Sequence, residues 1–164
     1  LTAPSKSFNL AGLQNSLAVI PDEALRERWD RFTKTLHLAS GNSFGYLAGE
    51  AAYLHGVDWL EQVKETIYGN YQYLRASLLE RWPLLRIAPL EGTYLMWTDF
   101  GAYLSQEEMK NFFEKECRLA LNYGSQFRGG GESWVRWNLA TSRELVQRAA
   151  EAVHSAMAAR SRKP

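Results

Sequence analysis

TAPSKSFNLAGLQ, residues 2–14, sets one lysine, Lys6, between Ser5 and Ser7 and two positions after Pro4. Pro4 restricts Ala3 to extended or turn geometry, so Lys6 is expected on a loop just past a strand end. Such a loop holds an amine at a strand's edge while its own backbone stays fixed. Taken alone, the stretch reads as a loop with a solvated lysine, the ordinary fate of that residue.

Working outward, residues 16–20 (SLAVI) form a short apolar run ended by Pro21, which predicts a buried strand. Pro21, Asp22 and Glu23 open a helix with acidic residues in its first turn, where the macrodipole favours them. Leu25, Trp29 and Phe32 follow at helical spacing, and the helix is expected to end at 34–37. Residues 39–45 (ASGNSFG) are a turn-rich junction before a second helix reaching about His55. Gly41, Gly45 and Gly49 fall four apart on it, each costing roughly 1 kcal/mol relative to alanine. A close backbone approach compensates, either inside a tightly packed helix pair or at a subunit interface. Asp58, with Glu61 three residues on, predicts the start of the longest helix. Its stripe of Leu60, Val63, Ile67, Tyr71, Leu74 and Leu78 runs until Pro83 stops it.

Beyond Leu84 the pattern changes. Residues 85–87 and 93–100 read as strands around a turn at 89–92. Ser105 and Glu108 form a capping box for a helix to about Cys117. Residues 119–123 and 134–139 are further strands, and Thr141 with Glu144 caps the last helix, whose apolar face is Leu145, Ala149, Val153 and Met157. Strand–strand–helix–strand–strand–helix predicts a compact α+β lobe.

With 46% hydrophobic residues, 13% aromatic residues and a net charge of +1, the chain can bury a core and has no basic face suited to nucleic acid. The basic tail at 160–163 reads as a frayed end. A single cysteine, Cys117, excludes an internal disulfide and suits a reducing compartment; no run approaches membrane-spanning length. No nucleic-acid or membrane partner is expected, and the expected location is cytoplasmic. Gly129–Gly131 lacks the strand–turn–helix framing of a phosphate loop and is expected to be a flexible loop. His37, His55 and His154 have no metal-like spacing, so no metal is expected, and His154 is read as solvated on a polar helix face. No G-x-S-x-G elbow is present.

Residues 4–13 resemble, without a gap, the Pro-Ser-Lys-x-Phe-Asn-x-Ala-Gly-Leu string that carries the cofactor lysine in fold-type I pyridoxal 5'-phosphate (PLP) enzymes. The likeness is to the C–S β-lyases of cystathionine β-lyase type, which are built like class I/II aminotransferases. The resemblance implies an α/β fold: the C-terminal part of the PLP-dependent transferase-like fold, with 1–57 completing the large PLP-binding domain. Residues 58–164 then form the small C-terminal α+β domain with its long linking helix. It implies α,β-elimination from cystathionine or a related cysteine S-conjugate, or alternatively transamination. It implies that the N-terminal half is missing, and that the isolated chain binds PLP weakly or not at all, as a catalytically incomplete domain fragment.

PLP chemistry needs an amine that condenses with the cofactor aldehyde and later moves a proton, and that is neutral some of the time. The resemblance gives this role to Lys6; Ser5 beside it is a candidate phosphate donor. Two family positions are not transferred, because the family's serine and arginine three before and eight after the lysine are Ala3 and Gln14 here. Arg136 alternates with buried-type Val135 and Trp137. From spacing alone it is a solvent-facing strand arginine, but Arg136-x-Asn138-x-Ala140 resembles the family's carboxylate-binding string. An arginine there pairs bidentately with an amino-acid substrate's α-carboxylate, and by the resemblance Lys6 and Arg136 bracket that small molecule. The resemblance also implies a homodimer in which Asn42 and Ser43 reach the partner subunit's site. It sets residues 91–94 (EGTY) and 124–127 (GSQF) near the substrate side chain.

Overall fold

The computed structural model describes residues 1–38, 40–129 and 131–160. Ala39 of the expected junction, Gly130 of the glycine triplet and the tail from 161 lie outside them. The chain forms two compact units, 1–62 and 63–164.

In the first unit, Asp22 caps α1 (Glu23–Thr35), its carboxylate accepting from Leu25 N at 2.7 Å. Asn42 caps α2 (Ser43–His55) by accepting from Phe44 N at 3.0 Å. The strand expected at 16–20 does not form. Leu17 alone exchanges backbone hydrogen bonds with Thr2, at 2.9 and 2.7 Å, and Val19 is exposed. A β-branched run becomes a strand only where neighbouring strands pair and pack it. The stripe on α1 is real but uncovered: Leu25, Trp29 and Phe32 are all exposed.

The glycines of α2 are explained within this unit. A Cβ on Gly45 would stand 3.0 Å from Leu13 O, and one on Gly49 2.9 Å from Asn15 Nδ2. Asn15 Nδ2 in turn donates to Gly45 O at 2.8 Å. The segment just after the lysine motif therefore lies directly on α2, where only glycine admits it.

The second unit is built on α3 (Val57–Arg81), which begins in the first unit and has Asp58 inside its opening turn. Four antiparallel strands follow: β1 (Arg86–Ile87), β2 (Leu95–Asp99), β3 (Asn122–Tyr123) and β4 (Trp134–Asn138), in the order β1-β2-β4-β3. Ser105 and Glu108 complete the expected capping box of α4 (Gln106–Asn111). A π turn over Phe112–Glu116 follows, closed by Cys117 N to Phe112 O at 2.9 Å. The widened turn brings the consecutive Phe112 and Phe113 both inward, edge to face at 5.0 Å.

The last helix, α5 (Arg143–Arg160), is preceded by Ser142, whose Oγ accepts from Leu145 N at 3.4 Å. Thr141, the expected cap, instead offers its carbonyl to Asn70 Nδ2 at 2.8 Å. Ile67, Tyr71, Leu74 and Leu78 of α3 join Met96, Val135, Trp137, Val146, Val153 and the two phenylalanines in one core. The buried face of α5 is rotated from the expected one, so that Val146 is inside and Leu145 exposed.

Candidate functional site

The lysine segment is held at two points one helical turn apart. Phe8 N donates to Pro4 O at 2.9 Å and Leu10 N to Ser5 O at 3.1 Å, so residues 4–10 close into a tight turn. Pro4 is fully buried, near the position a Cβ on Gly49 would take. Phe8 packs edge-on against Tyr53 at 5.6 Å and stacks on Trp59 at 6.3 Å. Its ring lies where a Cβ on Gly56 would sit. With residues 4 and 8 both anchored, Lys6 between them is exposed. Its amine and the hydroxyls of Ser5 and Ser7 make no hydrogen bond or ion pair among the described residues. An unengaged primary amine flanked by two free hydroxyls suits a phosphate-bearing aldehyde.

Asn42 Nδ2 donates to Leu13 O at 3.4 Å, tying the start of α2 to the end of the lysine segment. Ser43, the next residue, is exposed.

In the second unit, alternation on β4 holds as read: Val135, Trp137 and Leu139 are buried, and Arg136 and Asn138 take the other face. Arg136 stands opposite Trp97 on β2 and Asn122 on β3. Its Nη2 donates to Asn122 Oδ1 at 2.8 Å, and its Cζ lies 4.5 Å from the Phe127 ring centroid. Trp97 meets Phe127 edge-on at 5.2 Å, so the loop 124–127 closes over the arginine rather than hanging free. Arg136 makes no ion pair among the described residues.

A second arginine on this sheet behaves differently. Arg86 pairs with Asp99 through Nε at 2.7 Å and also through Nη2, and lies over Trp134 at 5.7 Å. Burial alone would raise the Asp99 carboxyl. The Ser133 side chain, Gly101 N and Arg86 outweigh it and hold that carboxyl below its ordinary value.

Within the turn before β2, Thr93 adopts φ 65°. That region is unusual for a β-branched residue, and Thr93 Oγ1 accepts from Leu95 N at 3.1 Å there. His154 is not solvated, contrary to the expectation from its helix face. It is 7% exposed, its Nδ1 accepting from Trp82 Nε1 at 3.0 Å and its Nε2 lying 2.9 Å from Ser77 Oγ. Burial, and then Arg81, push its pKa down, with Glu80 opposing. Cys117 is buried, which pushes its thiol up to about 12 and leaves it unreactive.

Among the described residues no group of His, Cys, Asp and Glu could hold a metal, and no helix is long and apolar enough to cross a membrane. A hollow of about 600 Å³ on α1, against Trp29, and a cleft of about 170 Å³ beside Trp137 are lined by neither Lys6 nor Arg136.

Two residues beside these groups escaped the sequence reading. Asn122 follows buried-type Leu121 and precedes Tyr123, but its place next to Arg136 depends on β3 pairing with β4. Asn15 looks like an ordinary turn residue until Gly45 O is placed above it. The only available signal was the glycine spacing, which asks for something close without saying what.

No family model matches the chain. It is 35% identical to cystathionine β-lyase PatB of Bacillus subtilis (strain 168) over 146 residues, 88% of this chain and 38% of that protein. Over that stretch the chain is similar to cystathionine β-lyases. Its fold matches cystalysin of Treponema denticola, a structure that contains pyridoxal 5'-phosphate, with a TM-score of 0.86 and 31% identity over 96% of this chain and 40% of that one. Aspartate aminotransferase of Pyrococcus horikoshii is 25% identical over 158 residues, 93% of this chain and 39% of that protein. The chain thus spans about two fifths of the length of these relatives, in keeping with a part of the PLP-dependent transferase-like fold.

Proposed function

We propose that the polypeptide carrying this chain is a PLP-dependent C–S β-lyase, acting on cystathionine or a related cysteine S-conjugate. The observation that carries this is the lysine turn: an amine with no partner among the described residues, on a backbone anchored by Pro4 and Phe8, in a chain 35% identical to a cystathionine β-lyase. Lys6 would hold the cofactor's aldehyde group and Ser5 would offer a hydroxyl to its phosphate. PLP, when bound, supplies an electron sink for charge developing at the substrate Cα. Arg136 takes the α-carboxylate through charge-assisted hydrogen bonds. Lys6 would also be placed to accept the Cα proton, and the elimination overall would take up one water and release the thiol, pyruvate and ammonia.

The same reading makes the full-length protein a cytoplasmic homodimer, with Asn42 and Ser43 turned to the partner subunit's site. The exposed apolar stripe of α1 supports association. The domain division is proposed at 57/58, with the large cofactor domain before it. The isolated chain is proposed to bind PLP weakly or not at all and to be inactive.

Aminotransfer is the second reading, supported by the likeness to aspartate aminotransferase. It uses the same amine and arginine and differs in where the proton returns. The test is to incubate the full-length protein with PLP and cystathionine. Pyruvate release, lost together with the visible cofactor band in Lys6→Ala, is the expected result. Amine transfer that depends on a keto acid and yields no pyruvate would replace the lyase reading with the transaminase one.

A further inference from the structure

We propose that Asn122 is a positioning residue, which fixes the Arg136 guanidinium for an incoming carboxylate while leaving its positive charge unspent. The proposal rests on the assignment of Arg136 to the substrate's α-carboxylate. An arginine left to itself samples many rotamers, and a bidentate pair forms only when the planar fork is held still. Two contacts hold this one. Asn122, its cross-strand neighbour on β3, accepts from Nη2 at 2.8 Å. Phe127 lies against the guanidinium at 4.5 Å, and is braced by the edge of Trp97. Nε is buried and has no hydrogen-bond partner among the described residues. The donors still able to meet a ligand are therefore on the two terminal nitrogens.

Arg86, on the same sheet, shows what the amide avoids. It too has an aromatic ring beside it, Trp134, and an oxygen acceptor, but the acceptor is the ionised Asp99. A carboxylate neutralises as well as orients, and a second anion gains little from an arginine already paired. An amide oxygen in the same relation orients without neutralising. Asparagine at 122 is thus the residue type that keeps Arg136 both ordered and available.

The test is side-chain nitrogen NMR on the isotopically labelled chain, with sodium acetate as the carboxylate probe and sodium chloride at equal ionic strength as the control. Asn122 is exposed, so its replacement leaves the core untouched, and the amide spectrum checks this. In the wild type the Arg136 guanidinium resonances are expected to show hindered rotation and to shift with acetate but not with chloride. Asn122→Ala should speed the rotation and weaken the acetate response about five-fold, the equivalent of one ordinary hydrogen bond. Asn122→Asp should keep the rotation hindered yet abolish the response. An Asn122→Ala protein indistinguishable from wild type in both measurements would overturn the proposal, as would an Asn122→Asp protein that still responds to acetate. A wild type with hindered rotation that ignores acetate removes the carboxylate assignment of Arg136 instead, and the proposal falls with it.

Discussion

Residues 1–62 and 63–164 are both rich in large apolar side chains, yet they use them in opposite ways. In the second unit those side chains close into one core, with Leu74, Leu78, Met96, Phe100, Phe112 and Phe113 out of contact with solvent. In the first, Leu25, Trp29, Phe32, Phe44, Leu47 and Leu54 are all exposed, and α1 has no buried residue. What holds the first unit in shape is mostly hydrogen bonding: the turn at 4–10, the Thr2–Leu17 bridge and the Asn15 side chain on α2. A segment organised that way displays a reactive group on a fixed frame but draws little stability from burial.

The largest effect should come from opening the core. Leu74→Ala is expected to lower unfolding stability by about 3 kcal/mol, the usual cost of a cavity at a fully buried leucine. Leu25→Ala on α1 should cost less than about 0.5 kcal/mol, because that side chain is 53% exposed. Denaturant titration followed by circular dichroism measures both. Equal losses would erase the contrast between the units.

The next effect concerns buried charge. Asp99→Ala strips the acceptor from Gly101 N and Arg86, and is expected to cost about 2 kcal/mol. Arg86 is 75% exposed, so the ion pair itself is largely screened and the buried acceptor accounts for most of the loss. The Asp99 carboxyl is held below its ordinary value. Its contribution is therefore present above the unfolded value near 3.8 and disappears as the pH falls through the lower, folded one. The wild-type curve should flatten in that acid range in Asp99→Ala.

How much of this could be read beforehand depended on whether a signal was local. The α3 stripe, the Ser105 capping box and the in–out alternation around Arg136 are properties of neighbouring residues, and each survives into the structure. The failures are places where a distant element decides. Residues 16–20 have strand composition but pair only at Leu17, and the cap falls to Ser142 while the Thr141 carbonyl goes to Asn70. His154 sits among polar helix residues, and only the arrival of Trp82 and Ser77 from α3 and its end makes it a buried hydrogen-bonded ring. Lys6 was found by its motif, whereas the reason it faces outward is tertiary: Pro4 and Phe8 are both anchored.

His154 offers a milder test of the second unit. Trp82 donates to Nδ1, so the ring is neutral with its proton on Nε2, directed at Ser77 Oγ. Its folded pKa is depressed, so the unfolded chain takes up the proton first, from about pH 6.5 downward. Stability should hold above that pH, fall as the pH drops from it toward the folded value, and level off below that value. About 1 kcal/mol is at stake if protonation breaks the indole hydrogen bond. Glu80 and Arg81 are the charges that act on the ring, with opposite sign. Thermal unfolding at pH 7.5 and 5.5 should separate wild type from His154→Gln, whose midpoint moves less between them. Equal shifts would remove His154 from the account.

The smallest global effect, and the most local one, belongs to Phe8. Its ring is only partly buried and touches Tyr53 and Trp59, so Phe8→Ala should cost no more than about 1 kcal/mol in overall unfolding. The loss should instead appear in the turn that carries Lys6. With Phe8 gone, Pro4 alone anchors residues 4–10, and the amides of residue 8 and Leu10, which close that turn onto Pro4 O and Ser5 O, lose their restraint. Hydrogen exchange at those two amides should quicken while exchange at Leu74 and Val153 stays as it was. If the turn amides keep their protection, the lysine frame is set by the backbone alone. The spacing of proline and phenylalanine on either side of Lys6 then needs another cause.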